Sequence, residues 1–307
     1  MYKMCDNRPS ENCPQGIAHT RVARTKQSRA GKAGIGAAAS SAPPSQPAPS
    51  DSLADHAGNP DFVLSLARGL RVIESFEGYH EGRSIIEISK ATGLSRASIR
   101  RLLLTLELLG YVERSRQVFR LKTQVLRLGF SYLSSSSVVE AARPVLESIT
   151  EQLHESSSMS MLDGDQIIYV ARSAASRVLA AGLSVGSRLP AYCTSMGRVL
   201  LGALSEPDLA AYLNGLQPRA FTPKTATRLP QIKRAILQAR RDGYAIVDQE
   251  LEAGLRSIAV PVITRSNRVV AAINVGTHVS RVDETALVTR CLPVLQEAAR
   301  TLRNILI

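Results

Sequence analysis

The sequence has no tryptophan, few aromatic residues and only four cysteines in 307 residues. The cysteines include no Cys-x-x-Cys pair, so we expect neither a disulfide framework nor a cysteine zinc site, and a reducing cytoplasm is the expected compartment. No run approaches the ~18 apolar residues of a membrane span, and the start of the chain lacks the apolar core of a signal peptide. We therefore expect neither membrane insertion nor secretion.

Acidic residues are in deficit. The chain has 38 Lys and Arg against 26 Asp and Glu, a net charge of +12 at pH 7, which indicates a polyanionic partner such as nucleic acid or an acidic membrane surface. The excess is densest in residues 61–135, where twelve basic and seven acidic residues give +5, against +3 for residues 1–60 and +4 for residues 136–307. Because solvated basic faces are common, this charge gains meaning only where it coincides with a motif.

The hydrophobic pattern changes along the chain, which predicts several segments. Residues 1–60 have no hydrophobic period and include a proline-rich run, so we expect a disordered leader. A helix is then predicted where five apolar residues recur at helical spacing: Phe62, Leu66, Leu70, Ile73 and Phe76. A later helix ends in a serine run, Ser134–Ser137, which we expect to be flexible. The predicted boundaries are 1–60, 61–122, 123–137 and 138–307.

The segment from Ile85 to Leu102 predicts a helix-turn-helix. Gly93 allows the left-handed turn that ends the first helix, Leu94 fills the angle between the helices, and Ser95 caps the second helix. Apolar residues at helical spacing predict the buried side of that second helix: Ile99, Leu102, Leu103 and Leu106. Its opposite side is short and basic, as a helix that enters the major groove requires.

Residues 113–120 predict two short strands around a polar turn, a wing beside the recognition helix. Arginine suits both the recognition helix and the wing, because its planar guanidinium group binds guanine edges or phosphate. The expected contacts to double-stranded operator DNA are Ser95, Arg96, Ala97, Ser98, Arg100, Arg101, Arg114, Arg116 and Arg120. The alternative is a helical hairpin with a solvated basic face.

The C-terminal half alternates amphipathic helices with runs of strands, which favours an antiparallel α+β sandwich. One helix is predicted from Val138 to Leu153 and another over Asp283–Ile305, interrupted by Pro293. The predicted strands are Ser158–Leu162, Gln166–Arg172, Arg177–Leu183, Tyr244–Asp248, Ser257–Thr264 and Arg268–Gly276.

Three motifs of this half carry a family resemblance: Gly186–Pro190, Ser195–Leu201 and Gly243–Pro261. With the helix-turn-helix, they make residues 62–306 resemble the IclR family of bacterial transcription regulators. Within the family, the sequence is most similar to the Pca/Pob group, the regulators of β-ketoadipate pathway genes. That narrower similarity rests on Leu189–Tyr192, Phe221–Thr225 and Glu250–Glu252.

The resemblance implies a winged helix-turn-helix, a linker helix and a GAF-like α+β effector domain. It also implies a homodimer or tetramer on DNA, a small aromatic or dicarboxylic acid as effector, and RNA polymerase as a partner if the protein is an activator. The implied effector pocket comprises Ala181, Leu189, Ser195, Met196, Ser257, Ile258 and Asn274. Many relatives have cysteine where Ser257 stands and lysine where Arg198 stands. A repressor that responds to another carboxylate is the alternative within the family.

The residues themselves are compatible with that pocket. Ser195 and the backbone N–H groups that open the helix at Met196 form a candidate carboxylate cradle. The alternative is that this turn only caps a core helix. An architectural DNA-binding protein without a ligand also fits the basic face. Protocatechuate, 4-hydroxybenzoate and β-ketoadipate stay equal alternatives as effectors.

An enzyme is the remaining alternative, and the sequence argues against it. Residues 182–186 match the G-x-S-x-G pattern around Ser184, but no helix signal follows and only His278 lies downstream. Asp248, Glu250 and Glu252 form an acidic run that fits a metal or acid–base cluster, or a solvated strand edge with a partner for Arg256. We expect no catalysis, no cofactor and no metal.

Overall fold

The computed structural model describes residues 58–79, 81–175 and 183–306. The predicted leader lies almost wholly outside these residues, and so does nearly all of the strand predicted over Arg177–Leu183, including Ala181. Among the described residues, no helix is both long and apolar enough to cross a membrane.

The N-terminal part combines three helices with a small antiparallel sheet in the order β1-β3-β2. The elements are α1 (Leu64–Glu74), β1 (Arg83–Ser84), α2 (Ile85–Thr92), α3 (Arg96–Leu108), β2 (Val112–Ser115) and β3 (Val118–Leu121). Their core contains Val72, Ile88, Ile99, Leu103 and Phe119, all buried. The predicted helix-turn-helix and two-stranded wing are therefore present.

The apolar pattern that predicted α1 coincides only in part with the side that is buried. Val72 and Phe76 are buried, whereas Leu66 and Leu70 are 63% and 47% exposed. Gly69 faces Leu102 of α3, so the close approach to α3 falls on the side of Gly69 and Val72. The exposed leucines form an apolar surface without a partner among the described residues.

The connection to the C-terminal part is helical except at one residue. A short 3₁₀ turn (Thr123–Val125) leads into α4 (Leu126–Ser135), and α5 (Ser137–Leu153) follows at once. The prediction of a flexible serine run is wrong here, because only Ser136 leaves the helical conformation, with φ −94° and ψ 103°. The chain therefore passes from α4 to α5 through a one-residue break.

The C-terminal part is a six-stranded sheet in the order β6-β5-β4-β9-β8-β7, with every pairing antiparallel. The strands are β4 (Ser156–Asp163), β5 (Gln166–Ser173), β6 (Arg188–Pro190), β7 (Ala245–Asp248), β8 (Leu255–Ile263) and β9 (Val269–His278). The later helices are α6 (Ser195–Gly202), α7 (Glu206–Gly215), α8 (Leu229–Asp242), α9 (Glu284–Ala286) and α10 (Leu292–Ile305).

Helices cover both faces of this sheet. Residues of α5 and α10 form one core with alternate residues of β8, such as Ile258 and Val260. Residues of α6, α7 and α8 form a second core on the opposite face, where Ala259 lies. This alternation is the period-two pattern of strands, and the expected α+β architecture is confirmed. The long helix predicted at the C-terminus is divided by a π-helical turn, Leu287–Cys291, before α10.

Candidate functional site

The turn of the helix-turn-helix is fixed by local hydrogen bonds. Gly93 adopts the left-handed conformation with φ 71° at the end of α2, where a side chain would be strained. The Ser95 side chain accepts a hydrogen bond from the Ser98 backbone N–H and caps α3. At the start of α2, Ser84 and Glu87 form a reciprocal capping box. The sequence predicted Ser95 as a cap, and the structure confirms it.

The two sides of α3 differ as its pattern predicted. Ile99 and Leu103 are fully buried, and Leu102 packs against the same core. Arg96, Ala97, Arg100 and Arg101 are exposed, and Ser98 is partly buried. The exposed side is thus short at its first turns and positively charged, which is the arrangement that admits a helix into a major groove.

The three arginines of the wing differ in their freedom to move. Arg114 at the end of β2 and Arg116 in the turn are exposed, and the Arg114 side chain donates to the Arg116 carbonyl oxygen. Arg120 instead donates to the Glu81 carbonyl oxygen and forms a 3.1 Å ion pair with the Glu81 carboxylate. Glu81 therefore holds the Arg120 side chain in place on the outside of the wing.

A cavity of about 70 Å³ lies between α6 and the sheet. Its wall is mainly apolar and includes Leu183, Leu189, Met196, Val247, Leu251 and Leu255. Polar side chains enter it from three neighbouring strands, because Arg172 of β5 pairs with Ser158 of β4, which pairs with Asn274 of β9. All three residues line the cavity.

Asn274 is the polar group whose environment is incomplete. It is only 8% exposed, and its side-chain oxygen has no hydrogen-bond partner among the described residues. A buried amide oxygen without a partner costs about 1–3 kcal/mol, so this position is suited to a ligand that donates a hydrogen bond. Nearby, the hydroxyl groups of Ser257 and Ser195 lie 2.9 Å apart.

Helix α6 begins at the cavity wall. Thr194, not Ser195, is its cap, because the Thr194 hydroxyl accepts from the Gly197 backbone N–H at 3.2 Å. Ser195 is the first helical residue and is 1% exposed. The open backbone N–H groups of a first helical turn attract anions. Thr194 therefore takes the capping role at this helix start, and the carboxylate cradle there stays a prediction.

The structure brings together five of the seven pocket residues that the resemblance implied: Leu189, Ser195, Met196, Ser257 and Asn274 all line the cavity. Ile258 does not, because its side chain alternates to the opposite face and packs in the α5/α10 core. This corrects the expectation for Ile258. Ala181 lies outside the described residues.

Sequence reasoning missed the contribution of β4 and β5 to this cavity. Ser156, Ser158, Tyr169 and Arg172 all line it. Period-two alternation would have placed Ser156 and Ser158 on one face of a strand, but only the pairing of distant strands brings them to Asn274. Desolvation raises the pKa of Tyr169 to about 12, so its hydroxyl stays protonated as a donor at neutral pH.

The cavity contains no activated nucleophile among its described residues. Burial, with the nearby Glu250 carboxylate, raises the pKa of Cys193 to about 12, so this thiol stays protonated at neutral pH. The G-x-S-x-G pattern also lacks its required context, because a turn and strand β6 follow Ser184 where a helix would have to begin.

The acidic run does not form one strand face. Strand β7 ends at Asp248, and Gln249 adopts φ 60°, which turns the chain. Asp248 binds Arg256 at 2.7 Å, as one of the alternatives predicted. Glu250 instead forms a buried 2.7 Å ion pair with Arg198. This pair fixes the loop that carries Leu251 to the cavity wall.

Comparisons with known proteins agree with this geometry. Residues 65–116 match the IclR helix-turn-helix domain, and residues 130–304 match the family model described as bacterial transcriptional regulator IclR C-terminal. A Pca regulon regulatory protein from Pseudomonas putida is 46% identical over 256 residues, which span 83% of this chain and 88% of that protein. The p-hydroxybenzoate hydroxylase transcriptional activator of Acinetobacter baylyi is 33% identical over 250 residues, which span 80% and 92% of the two chains.

A solved structure agrees as well. A transcriptional regulator from Rhodococcus sp. RHA1 superposes with a TM-score of 0.71 at 46% identity, covering 80% of this chain and 98% of that one. The matched domains and relatives are transcription regulators, not enzymes.

Proposed function

The chain belongs to the IclR family of bacterial transcription regulators, close to the Pca/Pob regulators of aromatic catabolism, and we propose that an organic acid controls its binding to operator DNA. One observation carries the proposal. The same chain combines a capped basic helix exposed to solvent with a cavity in which Asn274 lacks a hydrogen-bond partner. A regulator that reads DNA in response to a ligand needs both features.

On the DNA side, α3 enters the major groove. Arg100 and Arg101 contact bases or phosphates there, with Arg96, Ala97 and Ser98 at the N-terminal turn. Ser95 positions that turn by capping it. Arg114 and Arg116 of the wing contact the backbone or the minor groove, and Arg120 joins them once released from Glu81.

Fluorescence anisotropy with a duplex selected by the protein from a random library tests this assignment. Arg100→Ala with Arg101→Ala should weaken binding at least about 100-fold, since each lost contact costs about 1–3 kcal/mol. The matched control is Lys233→Ala with Arg234→Ala, an exposed basic pair on α8 that removes the same charge. Equal affinity of the two double variants would contradict the assignment of α3.

On the effector side, an aromatic or dicarboxylic acid occupies the cavity beside α6. Ser195 and Ser257 bind one polar end of it, Asn274 accepts a hydrogen bond, and Leu189 and Met196 contact its apolar body. We also assign Ala181 to this pocket by family resemblance.

Thermal unfolding with a panel of acids tests the cavity: 4-hydroxybenzoate, protocatechuate, β-ketoadipate and adipate. At 100 times its Kd, a ligand adds about 2.7 kcal/mol to the free energy of unfolding. Asn274→Leu, which keeps the size but removes the amide, should abolish the shift that the wild type shows. Stabilisation of the variant by the same acid would contradict the proposed site.

We propose that the protein is an activator which contacts RNA polymerase. The relative from Acinetobacter baylyi, 33% identical, is a transcriptional activator, whereas Escherichia coli relatives that are repressors are 28% and 25% identical. Transcription in vitro from a promoter that contains the selected duplex distinguishes the two modes. Added protein with effector should raise transcript yield, and a fall would identify a repressor.

A second copy of the chain completes the DNA-binding unit. Exposed apolar residues occur on α1 (Leu66 and Leu70) and on α4 (Leu126 and Phe130, 71% and 67% exposed). Surfaces of this kind are usually covered in an assembly. Helix-turn-helix proteins commonly read two half-sites as symmetric dimers, and we assign these faces to the homodimer contact, with a tetramer as a pair of such dimers.

A further inference from the structure

Arg172 is a cation at the wall of the cavity, and no described residue supplies it with a counter-charge. It is partly buried on β5 and lines the cavity, yet its guanidinium forms no ion pair or hydrogen bond with any described residue. No described residue of the cavity wall is acidic. A partly desolvated guanidinium is stabilised by an anion, so Arg172 is suited to bind one at the cavity wall.

The position of Arg172 relative to the other polar groups is set by strand register. Arg172, Ser158 and Asn274 form one row across β5, β4 and β9, on the face towards α6. Ser257, which binds Ser195, lies on β8, the next strand beyond β9. Neighbouring strands are about 4.8 Å apart, so the backbones of Arg172 and Ser257 are separated by about 14 Å or more. The cavity therefore has two polar ends with Asn274 between them.

Ser158 leaves the space between these ends open. Its side chain is small and lies between the two larger polar residues of the row. The apolar residues Leu189, Met196 and Leu251 enclose the same space. A ligand that fills it has an apolar middle, a ring or a short chain, and oxygen atoms at both ends.

We propose that Arg172 binds a carboxylate of the effector at the β5 end of the cavity and thereby selects acids over neutral analogues. This inference rests on the proposed effector site, to which it adds a preference for anionic over neutral ligands. The second oxygen-bearing end of the ligand, a hydroxyl, oxo or carboxylate group, is bound by Asn274 and by the Ser195–Ser257 pair. Arg172 is thus a specificity-determining residue for the class of two-ended organic acids.

Isothermal titration calorimetry with acids and their amides tests the role of Arg172. The probes are 4-hydroxybenzoate against 4-hydroxybenzamide, protocatechuate against 3,4-dihydroxybenzamide, and adipate against adipamide. The wild type should bind at least one acid 10-fold or more tighter than its amide. Arg172→Gln should weaken that acid about 10- to 100-fold and leave the amide within 3-fold, while Arg172→Lys should keep part of the preference for the acid.

Arg188→Gln is the matched control, since Arg188 lies on the neighbouring strand β6 and is paired with Asp163 outside the cavity wall. Its acid-to-amide ratio should equal that of the wild type. If Arg172→Gln has the same acid-to-amide affinity ratio as the wild type, the inference is overturned. The effector site itself still stands in that case, provided that Asn274→Leu abolishes binding in the same experiment. Failure of every acid to bind the wild-type protein would overturn both.

Discussion

At the scale of single residues, Gly197 occupies a position that admits no side chain. A Cβ atom there would lie 2.1 Å from the Ala191 carbonyl oxygen, far inside contact distance. The neighbouring atoms are backbone and cannot move aside without shifting the turn before α6. Since Ser195 and Met196 of the same helix line the cavity, this close contact also positions the site.

Gly197→Ala should therefore destabilise the protein by at least about 2 kcal/mol, the usual cost of an overpacked core position. The measurement is the urea midpoint of unfolding. Gly215→Ala is the control, because a Cβ atom at that helical position meets nothing within 4 Å. The control should be neutral or stabilising by up to about 1 kcal/mol. Similar midpoints for the two variants would contradict the packing at Ala191.

Asp248 gives the protein a stability that depends on pH. Hydrogen bonds from Arg256 and Lys224 lower its pKa from 3.8 to about 2. Because the folded value lies below the unfolded one, this carboxylate stabilises the fold above about pH 4 and loses the effect as the pH falls towards 2.

Asp248→Asn should lower the free energy of unfolding by about 1–2 kcal/mol at pH 7, a figure reduced for partial exposure. The difference from the wild type should narrow between pH 4 and pH 2. Urea unfolding at several pH values measures it. A difference that stays constant, or that grows as the pH falls, would show that Asp248 does not titrate in this range.

At the scale of elements, local signals were predictable and distant pairings were not. The turn at Gly93 and the caps Ser84 and Ser95 are specified within a few residues, and the structure confirms them. The family resemblance supplied the α6 and β9 parts of the cavity. Arg172 and Ser158 reach it only through antiparallel register across β5, β4 and β9, which no local pattern encodes. Ile258 is a different case: alternation along β8 already places it on the face opposite Ser257, and the family resemblance alone put it in the pocket.

The cap of α3 links an element's stability to its function. Ser95→Ala should lower the free energy of unfolding by about 1 kcal/mol, as the loss of an N-cap usually does. It should also weaken operator binding, because we propose that this end of α3 faces the DNA. Ser205→Ala removes the equivalent cap of α7, where the Ser205 hydroxyl accepts a hydrogen bond from the Asp208 backbone N–H. Both variants should lose similar stability in urea, and only Ser95→Ala should lose DNA affinity in anisotropy. Equal DNA affinities would refute this role of the α3 terminus.

At the scale of the whole molecule, the exposed apolar faces of α1 and α4 predict the assembly. Leu66→Lys with Phe130→Lys places charges on both faces, so sedimentation velocity should show monomers in place of dimers. Leu229→Lys, at a 40% exposed position on α8, should leave the dimer intact. A double variant that sediments as a dimer would contradict the proposed contact, whereas loss of the dimer with unchanged acid binding would support it.

The cavity and the linker share an element. Strand β4 carries Ser156 and Ser158 at the cavity and Met161 at its other end, where the sulfur accepts a hydrogen bond from the Tyr132 hydroxyl of α4 at 3.0 Å. An effector alters operator affinity only if it favours one placement of the DNA-binding parts over another. The contact between Tyr132 and Met161 offers a physical connection for such a preference.

Control of DNA binding by the cavity is tested most directly by operator affinity, measured with and without a saturating concentration of the acid that binds best. Fluorescence anisotropy on the selected duplex should show a Kd that changes at least 5-fold with the acid for the wild type, the lower range of allosteric coupling. Asn274→Leu should bind the duplex with the effector-free affinity under both conditions. A wild-type Kd that is the same with and without bound acid would contradict the claim that this cavity controls DNA binding.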